Sequence, residues 1–407
     1  MSTVRADVAA RLIPRVDPDG LAAAFILSFL ATAGFFYVNI MGAIVSGLID
    51  GLHLSAPEAG RIAACNVYGA ALGAFGAVLV VRRVPWRRAS VLLLCGLVGF
   101  DLSSMWVHSA NLLTVLRLLH GVTGGLLVGL SYAVIARTRS PDRCFGALMV
   151  VQSSLGGLGL MFLPRLVQPF GASVLFMALA AFSLVALALL PWLPDYSPPE
   201  GVPVRVPVVT GVPPSTWSGG LVVALLAVFF FQAGNMALSA YIIELGRAHG
   251  LGLDFVSVTI GVSGWVATLG AVLVVAFANR WRRTLPIAVG SLLALIGNAA
   301  FHASALPRVY LAANIVTAIM WFFVIPHLLG LCATFDRTGR SASLAGLFSK
   351  LGLASGPYAA SLLISGSASY GAVINLAVGA LTLATVCGIA AARIVDRGLP
   401  SVESRPA

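Results

Sequence analysis

The 407-residue chain has a single lysine, Lys350, and takes the rest of its positive charge from arginine. Charged residues of both signs make up only 10% of it, and aspartate and glutamate together number 14. So little charge cannot cover a water-soluble domain of this size, and a mean hydropathy of +0.98 excludes that class. Cysteine is also sparse. Cys65, Cys95, Cys144, Cys332 and Cys387 show no CxxC or Cys/His spacing, which argues against a disulfide framework or a zinc site. There is no GxxxxGK[ST] phosphate loop and no HExxH pair, and "GVSGW" at 261–265 lacks the strand context and second glycine of a nucleophile elbow. Enzymatic chemistry, ATP hydrolysis, a metal centre and a cofactor are therefore not expected.

What the chain has instead is apolar runs, 59% of its residues being hydrophobic. A hydrocarbon core of about 30 Å takes about 20 residues of helix. Twelve such spans fit, at roughly 21–49, 57–81, 88–108, 110–136, 144–167, 172–193, 218–243, 255–279, 284–303, 307–334, 341–365 and 370–393. The expected fold class is all-α membrane protein. The first 20 residues are polar, and the apolar run after them is too long for a signal-peptide core, so the first span is read as uncleaved.

A formal charge of +11 suggests a nucleic-acid partner only if the basic residues cluster. They do not. Nineteen arginines fall at the chain ends and the even-numbered joints, against four at the odd joints, namely Arg61, Arg165, Arg247 and Arg308. The positive-inside rule then predicts both termini in the cytoplasm, with the bilayer and not nucleic acid as partner. The expected location is a bacterial inner (plasma) membrane.

The chain repeats itself. "GAVLVV" occurs at 76–81 and 270–275, each copy followed by "WRR", at 86–88 and 281–283. The same register aligns "FFY" at 35–37 with "FFF" at 229–231, and Asp50 with Glu244; "SLGGLG" at 154–159 meets "KLGLAS" at 350–355. Between the copies, 195–217 is proline-rich with no helical period, and reads as a linker. The predicted organisation is a cytoplasmic segment 1–20, a six-helix half 21–193, a linker 194–217, a second six-helix half 218–393 and a cytoplasmic tail 394–407. An even number of spans per half returns the chain to the same face, so the halves are parallel repeats.

Four local patterns resemble the major facilitator superfamily, over nearly the whole chain. "RLLHGVTGG" at 117–125 is similar to the family's fourth-span motif of an arginine followed by glycines. "VVRRVPWRR" and "FANRWRR" resemble the basic loops after spans two and eight. "PDRCFGAL" at 141–148 and "GRSASLAG" at 339–346 resemble the lead-ins to spans five and eleven, and "LGLASGP" at 351–357 the glycine-proline segment that follows. Two features depart from the family pattern. Neither basic loop carries the usual aspartate, the second having Asn279, and "GGLGLMFLP" in the fifth span lacks the glycine-proline motif of exporters. The resemblance implies two halves that rock about a central site.

Ionisable residues inside spans face the bundle interior by default, because facing lipid costs at least a few kcal/mol. Asp101 and Arg117 are each seven residues from the outer end of their spans and so share a depth of about 10 Å, which suits an ion pair. His120 shares the face of Arg117 at i, i+3, and a reference pKa near 6.5 suits proton coupling. His327 follows Pro326, where a kinked backbone leaves a carbonyl to satisfy. These four are candidates for proton coupling or for a structural ion pair. Lys350 lies on the order of 15 Å inside the eleventh span with no acid beside it, a candidate anion site. Tyr37, Asn39, Gln152, Gln232, Asn235, Trp321 and Tyr358 are further candidates for the substrate-binding wall.

The expected function is a secondary transporter, working as a monomer, that moves a small organic anion such as a carboxylate or aromatic acid with protons. A proton-driven exporter of amphipathic drugs or metabolites is the alternative within transport. A non-transporting receptor or scaffold is the alternative of another class.

Overall fold

The computed structural model describes residues 15–81, 84–196, 219–276, 282–335, 340–367 and 369–397. The basic joints at 82–83 and 277–281, nearly all of the predicted linker, the first 14 residues, Asn279 and the last ten residues lie outside them. Among the described residues, twelve helical spans follow one another. Ten are long and apolar enough to cross a bilayer on their own, the third to twelfth except for Trp86–Ser104 among them, together with Ala56–Val80. Trp86–Ser104 falls short of that measure while carrying Arg87, Arg88 and Asp101. The first span is broken into Leu21–Ala33, Phe36–Asn39 and Met41–Leu52.

The second span (Ala56–Val80) starts sharply because Ser55 and Glu58 cap each other, side chain to backbone in both directions. It packs along the fourth (Ala110–Ile135) by glycine. A Cβ on Gly69 or Gly73 would run into the carbonyls of Leu118 or Val122, and one on Gly121 or Gly125 into those of Asn66 or Ala70. The eleventh span (Arg340–Ser367) meets the seventh (Gly219–Ser239) in the same way, through Gly352 and Gly356. Without a hydrophobic drive inside lipid, close backbone approach is what holds such pairs, and only glycine permits it. The "HGVTGG" run is thus a packing surface.

Three spans are interrupted at depth: the first around Phe35 and Ile40, the seventh at Ala240–Tyr241 before Ile242–Ala248, and the eighth at Ala267 between Leu253–Val266 and Thr268–Ala276. Irregular backbone is tolerated there only where it is buried in protein or borders a cavity.

The two halves join at mid-depth and on the face opposite the termini. Tyr68 Oη meets Ser355 Oγ at 2.9 Å, and Trp265 Nε1 donates to the Ser154 carbonyl at 3.1 Å. Further out, Arg247 Nη1 reaches both carboxylate oxygens of Asp50, at 2.7 and 2.9 Å. Ser46 Oγ donates to Glu244 at 2.7 Å, Tyr241 Oη to the Ala56 carbonyl at 3.2 Å, and Arg165 pairs with Asp254 at 2.9 Å. The hydrophobic core follows suit. One cluster runs from the first half across into Met236–Leu245, Tyr310 and Ile364, while the terminal side of the second half, from Leu221 to Phe231 with Leu328 and Leu381, forms a cluster of its own. The molecule is sealed on the opposite face.

Candidate functional site

The interruptions of spans one, seven and eight and the inner faces of spans five, nine and ten enclose a cavity of about 290 Å³ between the halves. Asn39 and Gln152 line it from one half, Gln232, Asn235 and Trp321 from the other. Among the described residues, no charged side chain lines it. Trp321 Nε1 donates to Gln232 Oε1 at 2.7 Å, and Gln232 Nε2 donates in turn to Ser349 Oγ at 2.7 Å. The indole therefore has its polar atom spoken for and is held in one orientation.

Lys350, Tyr37 and Tyr358 do not line this cavity. The Lys350 ammonium sits 5.1 Å from the ring centre of Phe35, itself a wall residue. No carboxylate pairs with it among the described residues. Tyr358 packs edge-on against Tyr68, with ring centres 6.4 Å apart, at the junction of spans two and eleven. Its ring is part of the seam between the halves.

Tyr37 instead belongs to a second, sealed site in the first half. Arg117 Nη1 and Asp101 Oδ1 are 2.8 Å apart, and both side chains are fully buried. The other guanidinium nitrogen, Nη2, donates to the Phe100 carbonyl at 2.9 Å and to Ser104 Oγ, and the group lies over the Phe176 ring. Asn66 Nδ2 donates to the Arg117 carbonyl at 3.0 Å, and because a carbonyl can only accept, the orientation of that amide is fixed. The same nitrogen is 2.9 Å from His120 Nδ1, which must then accept. The imidazole proton is therefore on Nε2, facing Asp101 Oδ1 at 3.4 Å. Asp101 Oδ2 and the Tyr37 hydroxyl are buried without a hydrogen-bond partner among the described residues. The Tyr37 ring lies 5.9 Å from His120, and its chain neighbours Val38 and Asn39 line the cavity. His327 is apart from all this: its Nδ1 donates to its own helix's Phe323 carbonyl at 2.7 Å.

Sequence reasoning missed Asn66, Asn298, Asn314 and Thr317. The last three were within reach of the repeat. Asn298, Asn314 and Thr317 each stand 197 residues beyond Asp101, Arg117 and His120. The structure keeps that register, since spans four and ten start at Ala110 and Pro307. The buried stripe Leu94, Leu97, Asp101 and Ser104 of span three recurs as Ser291, Ala294, Asn298 and Phe301. In the second half the charged cluster has become a set of amides and a hydroxyl, and all three line the cavity.

A family model described as Major Facilitator Superfamily matches residues 24–357. Among solved structures, the chain is similar to a D-xylose-proton symporter, with TM-score 0.69, 17% identity and coverage of 94% of this chain and 99% of that one. It is also similar to the nucleoside transporter NupG, with TM-score 0.70, 12% identity and coverage of 91% and 98%. No curated protein sequence matches it.

Proposed function

The chain belongs to the major facilitator superfamily and is a transporter, not an enzyme; we propose that it works as a secondary carrier, coupling a small organic solute to protons by alternating access. The observation that carries the proton coupling is the buried cluster of Asp101, Arg117 and His120. One carboxylate oxygen there holds a guanidinium and an imidazole N–H, while the other has no partner among the described residues. A proton placed on Oδ2 would weaken the grip of Asp101 on Arg117, and so alter how spans three and four hold together. The cluster is joined to the cavity through the first span, by Tyr37 and Asn39, which gives solute and proton a common element to bias. Of the similar solved proteins, one is named as a symporter of D-xylose and protons and the other as a nucleoside transporter.

The carrier is read as a monomer in a bacterial inner membrane, with its termini in the cytoplasm as the arginine distribution implies. In that orientation the sealed face is the outer one. The organic-anion reading rests on Lys350 and, second to it, on Arg117, which is paired with Asp101. An anion held by the Lys350 ammonium would lie near the Phe35 ring, which lines the cavity.

The test is reconstitution in liposomes with an imposed pH gradient, offering radiolabelled sugars, nucleosides and carboxylates in turn. Wild-type protein should accumulate one class against its gradient. Asp101→Asn should lose accumulation and keep solute exchange. Accumulation that is equal in Asp101→Asn, or flux indifferent to the gradient, would remove the coupling reading.

A further inference from the structure

Six amide side chains line the cavity among the described residues, and their hydrogen bonds sort them. Gln232 is spent at both ends, on Trp321 and on Ser349. Asn298 gives its Nδ2 to the Ala294 carbonyl at 2.9 Å and to Asn235 Oδ1 at 3.3 Å, and Asn235 gives its own Nδ2 to the Phe231 carbonyl at 2.9 Å. Asn314 donates to the Tyr310 carbonyl at 2.9 Å, and Asn39 has its Nδ2 enclosed without a partner among the described residues. Gln152 differs from all of them. It is half-buried in the fifth span (Pro141–Phe170), and neither end of its carboxamide is bonded to a described residue or sealed from access. One turn along the same face, Gly156 adds no side chain to the space; a Cβ there would come within 3.2 Å of the Asn39 Cβ.

A free carboxamide presents an acceptor and a donor side by side in one plane, and with nothing to hold it, it can turn either way up. Its complement is a flat edge on which a donor stands next to an acceptor, the fork by which a glutamine pairs with a purine edge. The rest of the wall asks for a ring. Phe35, Phe301, Trp321 and Phe322 line the cavity, and the indole offers carbon alone because its Nε1 is held by Gln232. A solute with polar groups all round would turn most of them against rings and aliphatic chains, where they go unpaired. An ionised one would find no counter-charge on the described wall. Size is bounded too: a cavity of about 150 Å³ takes benzene, so one of about 290 Å³ takes one or two fused rings.

We propose that Gln152 is the residue that selects the solute, and that the solute is an uncharged, flat molecule of one or two rings with a donor and an acceptor adjacent on one edge, as in a lactam or an amino-substituted azine. This deepens the carrier reading and rests on it.

The experiment is binding to purified protein by titration calorimetry and thermal stabilisation. The probes are 2-pyridone, 2-quinolone and uracil, each against its fully N-methylated form, which keeps the ring and loses the edge donor. D-xylose, benzoate and benzylamine stand as a polyol, an anion and a cation. Gln152→Met, which keeps length and loses the fork, and Gln152→Asn, which keeps the fork on a shorter stem, accompany the wild type. At least one lactam should bind wild type, bind about 10- to 100-fold more weakly once N-methylated, lose about the same factor in Gln152→Met, and regain part of it in Gln152→Asn. The proposal is overturned if no lactam binds, if the N-methylated forms bind as tightly, if xylose, benzoate or benzylamine binds in their place, or if a folded Gln152→Met keeps wild-type affinity. The methylated pairs decide the matter in wild type alone should the variants fail to fold. Liposome uptake separates the two readings. Edge-dependent binding without any flux sinks the carrier and leaves the role of Gln152 standing, whereas accumulation of xylose or benzoate with no lactam binding sinks this proposal and leaves the carrier.

Discussion

Taking one member of the Asp101–Arg117 pair away strands the other where water cannot reach, which costs about 3–5 kcal/mol. Arg117→Leu should therefore lower the thermal unfolding midpoint sharply in detergent, whereas Arg117→Leu combined with Asp101→Leu should regain most of the loss. Equal midpoints for the single and double variants would show that the pair is not what the buried site depends on. Lys350 is the opposite case. Its contact with the Phe35 ring is worth about 0.5–2 kcal/mol. Lys350→Met should leave solute affinity within about threefold of wild type, since only one contact of cation–π strength is lost; an affinity loss of tenfold or more in a folded variant would restore the anion reading. The difference between these residues is also what sequence can and cannot supply. Counting along helices gives depth, so the level of Asp101 and Arg117 was legible, and the structure puts them 2.8 Å apart. Counting gives no azimuth, and the side of Phe35 on which Lys350 stands is a matter of azimuth.

At the scale of helices, glycine governs both packing and chemistry. Gly121 lies against the Asn66 carbonyl, and Asn66 is the residue that fixes the proton of His120 on Nε2. A methyl group there must push spans two and four apart, at an overpacking cost of about 1–3 kcal/mol. Gly121→Ala should thus lower stability and disturb the His120 tautomer together, read as a lower unfolding midpoint and, with the imidazole labelled with nitrogen-15, as a changed pattern of ring nitrogen shifts. An unchanged ring spectrum in a destabilised variant would separate the two roles. The glycines were visible in the sequence as a family-like motif, and so were the twelve spans, because apolar length is a property of composition. The interruptions of spans one, seven and eight were not. Nothing in the local sequence marks Ile40 or Ala267 as a break, since the cavity beside them is formed by other spans.

For the whole molecule, the repeat announced two halves and left open which face they close. That depends on contacts between distant positions, of which Asp50 with Arg247 and Ser46 with Glu244 are the outermost. Glu244, in the short helix Ile242–Ala248 that follows the break at the outer end of the seventh span (Gly219–Ser239), has its carboxyl pushed above the usual carboxylate value. Burial is the leading cause, and Asp50 adds to it; the hydrogen bond from Ser46 and the charge of Arg247 oppose the shift. Opening this face would return the carboxyl to water and to its ordinary value near 4.5. The sealed form therefore holds the proton more tightly than the open form. By linkage, sealing on this side is favoured at low pH and weakens as pH rises from the ordinary value through the raised one. Glu244→Gln, which is neutral throughout, should stay sealed across that window. Pulsed electron–electron distances between spin labels in the loops after spans one and seven should lengthen with rising pH in wild type and hold constant in the variant. A wild-type distance that shortens with rising pH would mean that the Asp50–Arg247–Glu244 ion pairs, and not the buried carboxyl, dominate the closure of this face.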